Sequence, residues 1–240
     1  MPRGRLRRGR GGVVRSRDRT IQALILDFDG LMVDTEAPAF ESWREVFEAH
    51  GCSLPFDVWA ATIGTSGGEL DPCAHLRSQL GRPIDRETIR ARRWQRKVEL
   101  AALQPLLPGV LDYVSDASSL DLRLAVASSS LRPWVTDHLT RLGIVQYFDR
   151  IVSRDDVQRV RPYPQLYRAA LAALGLPSHR AIAFKDSPDG ITASRAAGIF
   201  CVAVPNSLTC QLPTGHADLR LPSLAAIPLS ALLTHVEQRK

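Results

Sequence analysis

The run Ala23-Leu-Ile-Leu26 is apolar at every position and stops at a carboxylate, Asp27, with a second carboxylate, Asp29, two residues on. A strand that is apolar on both faces must be covered on both faces, the condition of a strand in a parallel sheet flanked by helices. The chain is thereby drawn toward an α/β fold. Paired acids at the mouth of such a strand are a costly place for charge unless the charge is used or paired.

The rest of the pattern agrees. Pro105 and Pro108-Gly109 punctuate a return to alternating elements. Leu111–Leu120 reads as a helix and Arg123–Ala127 as a strand. Pro133–Leu142 reads as a helix with proline near its first turn, and Arg150–Val152 as a short strand. Pro164–Leu174 is a helix stopped by Gly175, and Ala181–Phe184 a strand. Asp189–Ala197 is a helix ended by Gly198, and Phe200–Val204 a strand. Between residues 36 and 103 there is no strand pattern. Phe40, Trp43, Val46 and Phe47 have helical spacing, and helical stretches follow near Phe56–Thr62, Leu70–Leu80 and Asp85–Leu103. The expected fold is therefore a Rossmann-like parallel sheet core, residues 21–36 and 104–240. A small all-helical cap, residues 37–103, is inserted after the first strand. In such sheets the ligand lies beyond the carboxyl ends of the strands.

Charge and composition exclude some classes. The chain of 240 residues carries a net +6, but residues 1–20 hold eight Arg against Asp18, so the remainder sums to −1. That remainder is no broad basic nucleic-acid surface. The Arg-rich extension reads first as disordered with no role, and otherwise as a tail whose charge suits nucleic acid or anionic lipid. A natural start near Val13 or Val14 is the other plain reading. No apolar run approaches the ~20 residues of a membrane span, and the start lacks the apolar centre of a secretory signal. Cys52, Cys73, Cys201 and Cys210 show neither C-x-x-C nor zinc-ligand spacing. Scattered thiols point to a reducing, cytoplasmic setting.

Polar residues close three of the strands: Asp27 and Asp29, then Ser128 in Leu124-Ala-Val-Ala-Ser-Ser-Ser130, then Asp186 after Ala181-Ile-Ala-Phe-Lys185. All meet at one sheet edge. Carboxylates gathered there suit a hard cation with oxygen ligands, and such a cation draws phosphate oxygens to itself. Taken singly, Ser128 also reads as a helix N-cap and Asp186 as a cap of the following helix. Asp34 and Thr35 read as turn-fixing residues. Thr65-Ser66-Gly67-Gly68 reads equally as a substrate loop or a connector.

Asp27-x-Asp-Gly-x-x-x-Asp-Thr35 resembles the first motif of the haloacid dehalogenase-like phosphatases. Ser128 stands at the second motif of that family. Arg161-Pro-Tyr-Pro-x-x-Tyr167 resembles the third motif, and Lys185-Asp-Ser-Pro-x-Gly190 the fourth. The likeness covers about residues 21–210, in order, around a helical insert placed as in the subgroup of β-phosphoglucomutase and many sugar-phosphate phosphatases. It implies a Mg2+-dependent phosphatase, acting as a monomer on a small phosphorylated metabolite. Asp27 would be the nucleophile and Asp29 the acid and base. Ser128, Ser129, Arg161 and Gly30 would hold the phosphoryl group. The Asp27 carboxylate, the Asp29 carbonyl and the Asp186 carboxylate would hold the metal.

Two positions depart from the family. Arg161 replaces a lysine, exchanging a compact ammonium for a planar fork. Lys185 replaces the usual acid beside Asp186, which suits a phosphate dianion better and magnesium worse. An ammonium about 5 Å from the ion opposes it by several kcal/mol at an effective dielectric of about 20, unless the long stem swings toward solvent. Weakened metal affinity and reduced turnover follow as an expectation, and an inactive phosphate-binding homologue is the alternative it raises. A mutase is the other alternative. However, the cap lacks the His and Arg of the mutases, with Ala37-Pro-Ala-Phe40 and Ile63–Glu69 in their places and only Arg77 or Arg82 as substitutes. Specificity is expected in cap side chains such as Trp59, Glu69, His75 and Arg77.

Overall fold

The computed structural model describes residues 20–60 and 71–239. The Arg-rich extension, the Thr65–Gly68 segment and Glu69 lie outside the described residues.

Among the described residues, six strands form one sheet: β1 (Ala23–Leu26), β2 (Arg123–Ala127), β3 (Arg150–Val152), β4 (Ala181–Lys185), β5 (Phe200–Ala203) and β6 (Leu219–Arg220). They lie in the order β3-β2-β1-β4-β5-β6, and every pairing is parallel. The chain moves outward from β1 to β3, then crosses back to β4 and moves outward the other way. The switch point therefore falls between β1 and β4, where a ligand crevice is expected in an open parallel sheet.

The period of two along β1 divides the core. Leu24 and Leu26 face one layer with α5 (Val110–Ser119), α6 (Arg132–Arg141) and α9 (Leu229–Gln238). Ala23 and Ile25 face the other with α7 (Gln165–Leu174) and α8 (Pro188–Ala196). All four β1 side chains are fully buried, as an apolar run covered on both sides must be.

Between β1 and α5 the described residues form four helices: α1 (Glu36–Ala49), α2 (Phe56–Ala60), α3 (Pro72–Leu80) and α4 (Arg86–Ala102). They pack a separate core of Trp43, Phe47, Trp59, Leu76 and Ile89. Acids set the starts of α1, α3 and α4. Asp34 Oδ1 accepts the N–H groups of Glu36 and Ala37, so this residue does fix the turn. Asp71 caps α3 through Cys73 N–H at 3.0 Å, and Asp85 caps α4 through Thr88 N–H at 3.1 Å. These caps place both helix starts slightly later than the hydrophobic spacing alone suggests.

Two elements of the C-terminal segment, β6 and α9, were not anticipated. The four cysteines are free. No helix among the described residues is long and apolar enough to cross a membrane.

Candidate active site

β1 and β4 run side by side with Leu26 opposite Phe184. One step further along both strands, Asp27 comes beside Lys185, and Asp27 N–H still bonds the Phe184 carbonyl at 3.2 Å. Both side chains are 1% exposed, and the Lys185 ammonium pairs directly with Asp27 Oδ2. Lys185 has thus not swung toward solvent. The strand register and the surrounding core hold it inside, so the escape of its stem to water that would lessen the repulsion is not taken. Its stem passes where a side chain on α8 would be: a Cβ at Gly190 would lie 2.0 Å from Lys185 Cε. Burial lowers the Lys185 pKa against the opposing pull of Asp27.

Arg161, in the loop before α7, reaches the same oxygen, with Nη1 3.6 Å from Asp27 Oδ2. Its fork also donates to Ser187 Oγ at 3.0 Å and Ser129 Oγ at 2.6 Å. Three strand-end loops are tied together in this way, which is what a planar guanidinium does better than an ammonium. The other Asp27 oxygen, Oδ1, accepts Phe28 N–H at 2.8 Å.

Asp186 follows Lys185 and is almost wholly buried. Its Oδ2 accepts a long bond from Asn206 Nδ2 at 3.4 Å, and its Oδ1 has no partner. Burial first, then the charge of Asp27, push its carboxyl up to about 7, against Lys185 and Arg161. It caps no helix. Asn206, beyond β5, also bonds the Gly30 carbonyl at 3.0 Å and was missed at the sequence level. The polar Pro205-Asn206-Ser207 stretch after an apolar strand was its available signal.

Asp29 is half-buried and points elsewhere. Oδ1 accepts from Thr35 Oγ1 at 2.8 Å and Trp134 Nε1 at 3.0 Å. Oδ2 accepts from Ser130 Oγ at 2.6 Å and Ser128 Oγ at 3.2 Å. Burial raises its carboxyl, but the Lys97 ammonium and the bonds from Ser130, Trp134 and Thr35 outweigh it and hold the group below the usual carboxylate range. Lys97 belongs to α4, and its Nζ lies 4.9 Å from the Trp134 ring centroid, so the helical insert reaches the core here. Thr35 does more than fix a turn, and Trp134, Ser130 and Lys97 escaped the sequence reading.

Other residues expected in the site have partners of their own in this structure. Gly30, expected to bind phosphate, gives its N–H to the Val33 carbonyl at 2.8 Å. It is needed for space and conformation: φ is +77°, and a Cβ would lie 2.3 Å from Asp186 Oδ2. Ser128 Oγ is directed to Asp29. Trp59 and His75, expected to set specificity, pack on the insert's own aromatics, Trp59 near Phe40 and His75 near Phe47. Arg82 lines a cavity of about 500 Å3 between α1 and α4 that includes none of the strand-end residues, and Arg77 is exposed. A cavity of about 700 Å3 does open beside Ser129 and Ser130, walled by Trp94, Lys97, Leu131 and Trp134.

The donor set admits a divalent cation in part. Among the described residues no cluster of three or more His, Cys, Asp or Glu forms a metal cage. The buried, unpartnered Asp186 oxygen nevertheless lies within electrostatic reach of Asp27, and an orphaned carboxylate oxygen is what a hard cation satisfies.

The profile of haloacid dehalogenase-like hydrolases matches residues 24–204. YhcW of Bacillus subtilis (strain 168) is 39% identical over 219 residues, spanning 91% of this chain and 99% of that protein. Protein CbbY of Rhodobacter capsulatus is 32% identical over 222 residues, 88% of this chain and 97% of its own. The crystal structure of CbbY from Rhodobacter sphaeroides in complex with phosphate superposes with a TM-score of 0.70 at 30% identity, covering 85% of this chain and 95% of that one.

Proposed function

This chain belongs to the haloacid dehalogenase-like hydrolases, and from that premise we propose that it is a magnesium-dependent phosphatase of a small organic phosphate, a sugar phosphate or a close analogue. One observation carries the reading: Asp27 stands at the switch point of the sheet with two cations on one oxygen and Asp29 two residues away. The name of YhcW as a phosphatase, and the phosphate in the CbbY structure, agree with it.

In this reading an Asp27 oxygen attacks phosphorus, and the bond from phosphorus to the ester oxygen breaks. The leaving oxygen takes the electron pair and a proton from Asp29. Asp29, now a carboxylate, takes a proton from water, whose oxygen attacks phosphorus. The bond to Asp27 breaks, and inorganic phosphate leaves. Asp29 is ionised in the resting site, so it has to gain its proton as the ester arrives. A phosphate dianion beside it raises its pKa in the required sense. Arg161 neutralises phosphoryl charge, with Ser129 held ready by its guanidinium. Magnesium, held by the Asp27 and Asp186 carboxylates and the Asp29 carbonyl, would supply further charge stabilisation of the phosphoryl oxygens.

Asp27 is fully buried, and Asp29 is the more accessible of the two carboxylates. The cavity beside Ser129 and Ser130 has the volume of a small-molecule site and would take the leaving group. The test is a phosphate-release screen across small phosphorylated metabolites, with and without magnesium. Turnover of at least one sugar phosphate supports the proposal. Absence of release from every compound, with magnesium present, removes it.

One observation favours a second reading, a phosphate-binding homologue with little turnover. Lys185 already occupies the Asp27 oxygen that would otherwise face metal or phosphorus. A binding signal for phosphate without hydrolysis of any ester would select it.

A further inference from the structure

Lys185 is held against Asp27, one of the two carboxylates proposed to hold a metal. It ends β4, and the two-residue period turns it to the same side as Ala181 and Ala183, toward α7 and α8. Its slot is built. Gly190 lacks the Cβ that would strike the stem, and the Tyr167 ring lies 5.9 Å from Nζ. The ammonium is wholly buried and paired with Asp27 Oδ2, the oxygen that Arg161 also approaches. Asp27 Oδ1 is engaged by Phe28 N–H. A divalent ion bridging Asp27 and Asp186 has to share the Asp27 carboxylate with these partners, two of which are cations.

We infer that Lys185 is a resident counter-ion that competes with the divalent cation for Asp27 and, with Arg161, allows phosphate to bind when no metal is present. The inference rests on the phosphatase reading only in taking the Asp27 pocket as the phosphate site. Electrostatics gives its two sides opposite signs. A fixed ammonium repels a divalent cation placed against the same carboxylate, and attracts a phosphate dianion placed there. Lys185 is thereby a positioning residue for Asp27 and a determinant of which ions the site accepts.

The test uses the full chain freed of metal by chelation. Isothermal titration with inorganic phosphate, and separately with Mn2+, is carried out on wild type and Lys185→Met. Wild type is expected to bind phosphate without metal. Lys185→Met is expected to weaken phosphate roughly tenfold or more and to tighten Mn2+ by a similar factor. Phosphate binding by wild type only after Mn2+ is added overturns the inference, and this arm needs no variant to fold. Unchanged affinities in a folded Lys185→Met also overturn it. If p-nitrophenyl phosphate is hydrolysed with Mn2+ in either of those cases, the phosphatase reading stands and the resident counter-ion alone falls. Absence of both hydrolysis and phosphate binding, with and without metal, removes both.

Discussion

Lys185 and Asp27 stand side by side at the ends of two paired parallel strands, joined by an ion pair that solvent does not reach. A buried pair is costly to assemble and more costly to halve, because the surviving charge is left without its partner. Asp27→Asn alone and Lys185→Met alone should each lower stability by about 3 kcal/mol. The double variant should lose clearly less than the sum. Urea unfolding of the four proteins in a double-mutant cycle measures the coupling. Strict additivity would mean that the pair does not exist in solution.

Gly30 has two reasons to be glycine, and neither is a free N–H. Its φ of +77° is a left-handed conformation, and an added Cβ would lie 2.3 Å from Asp186 Oδ2 and 2.8 Å from Asn206 Nδ2. Gly30→Ala keeps the N–H but should cost roughly 1–3 kcal/mol and push Asp186 from its place. Thermal unfolding and the magnesium dependence of phosphate release would read both effects. Wild-type behaviour would return Gly30 to the role of a simple turn residue.

Lys97 lowers the Asp29 carboxyl from across the junction of α4 and the core. Lys97→Met removes that cation, so the Asp29 pKa must rise. If Asp29 has to be protonated to release the ester oxygen, the alkaline limb of kcat/KM moves to higher pH. The same shift affects stability. A carboxyl depressed on folding contributes stability above its unfolded pKa, about 3.9, and loses it as pH falls through the folded value. Lys97→Met therefore reduces the part of acid unfolding that Asp29 drives. A pH–rate profile checks the first effect, and an unmoved alkaline limb would exclude Asp29 as the acid.

Much of this architecture could be read from local signals, and the reasons are physical. β2 and β3 match their expected bounds because a short apolar run between turn residues has few other readings. α7 stops where expected because Gly175 takes φ of +65° after it. The helix α9 went unread although Leu229, Leu232, Leu233 and Val236 carry a helical period. β6 is only two residues long, too short for any period.

The site was legible where chemistry follows a strand end and illegible where it comes from packing. Asp27, Asp29, Asp186 and Arg161 stand out in the sequence through their motifs, and the structure brings Arg161 to Asp27. Trp134 reaches Asp29 from 105 positions away, and Asn206 reaches Gly30 from 176. No local pattern announces such contacts. Lys185 stands out as a departure in the motif, but whether its head stays at the site or extends to water is open in the sequence, because a long stem allows both. Its burial follows from the register with Asp27 and from the space at Gly190, which only the three-dimensional arrangement reveals.

The nucleophile is the centre of the account. Magnesium-supplemented hydrolysis of p-nitrophenyl phosphate by the full chain should be measured for wild type and for Asp27→Asn, with folding of both verified by circular dichroism. The account predicts measurable release by wild type and a loss of roughly a thousandfold or more in the variant, since an amide oxygen cannot form the covalent intermediate. Comparable rates for the two folded proteins would contradict it.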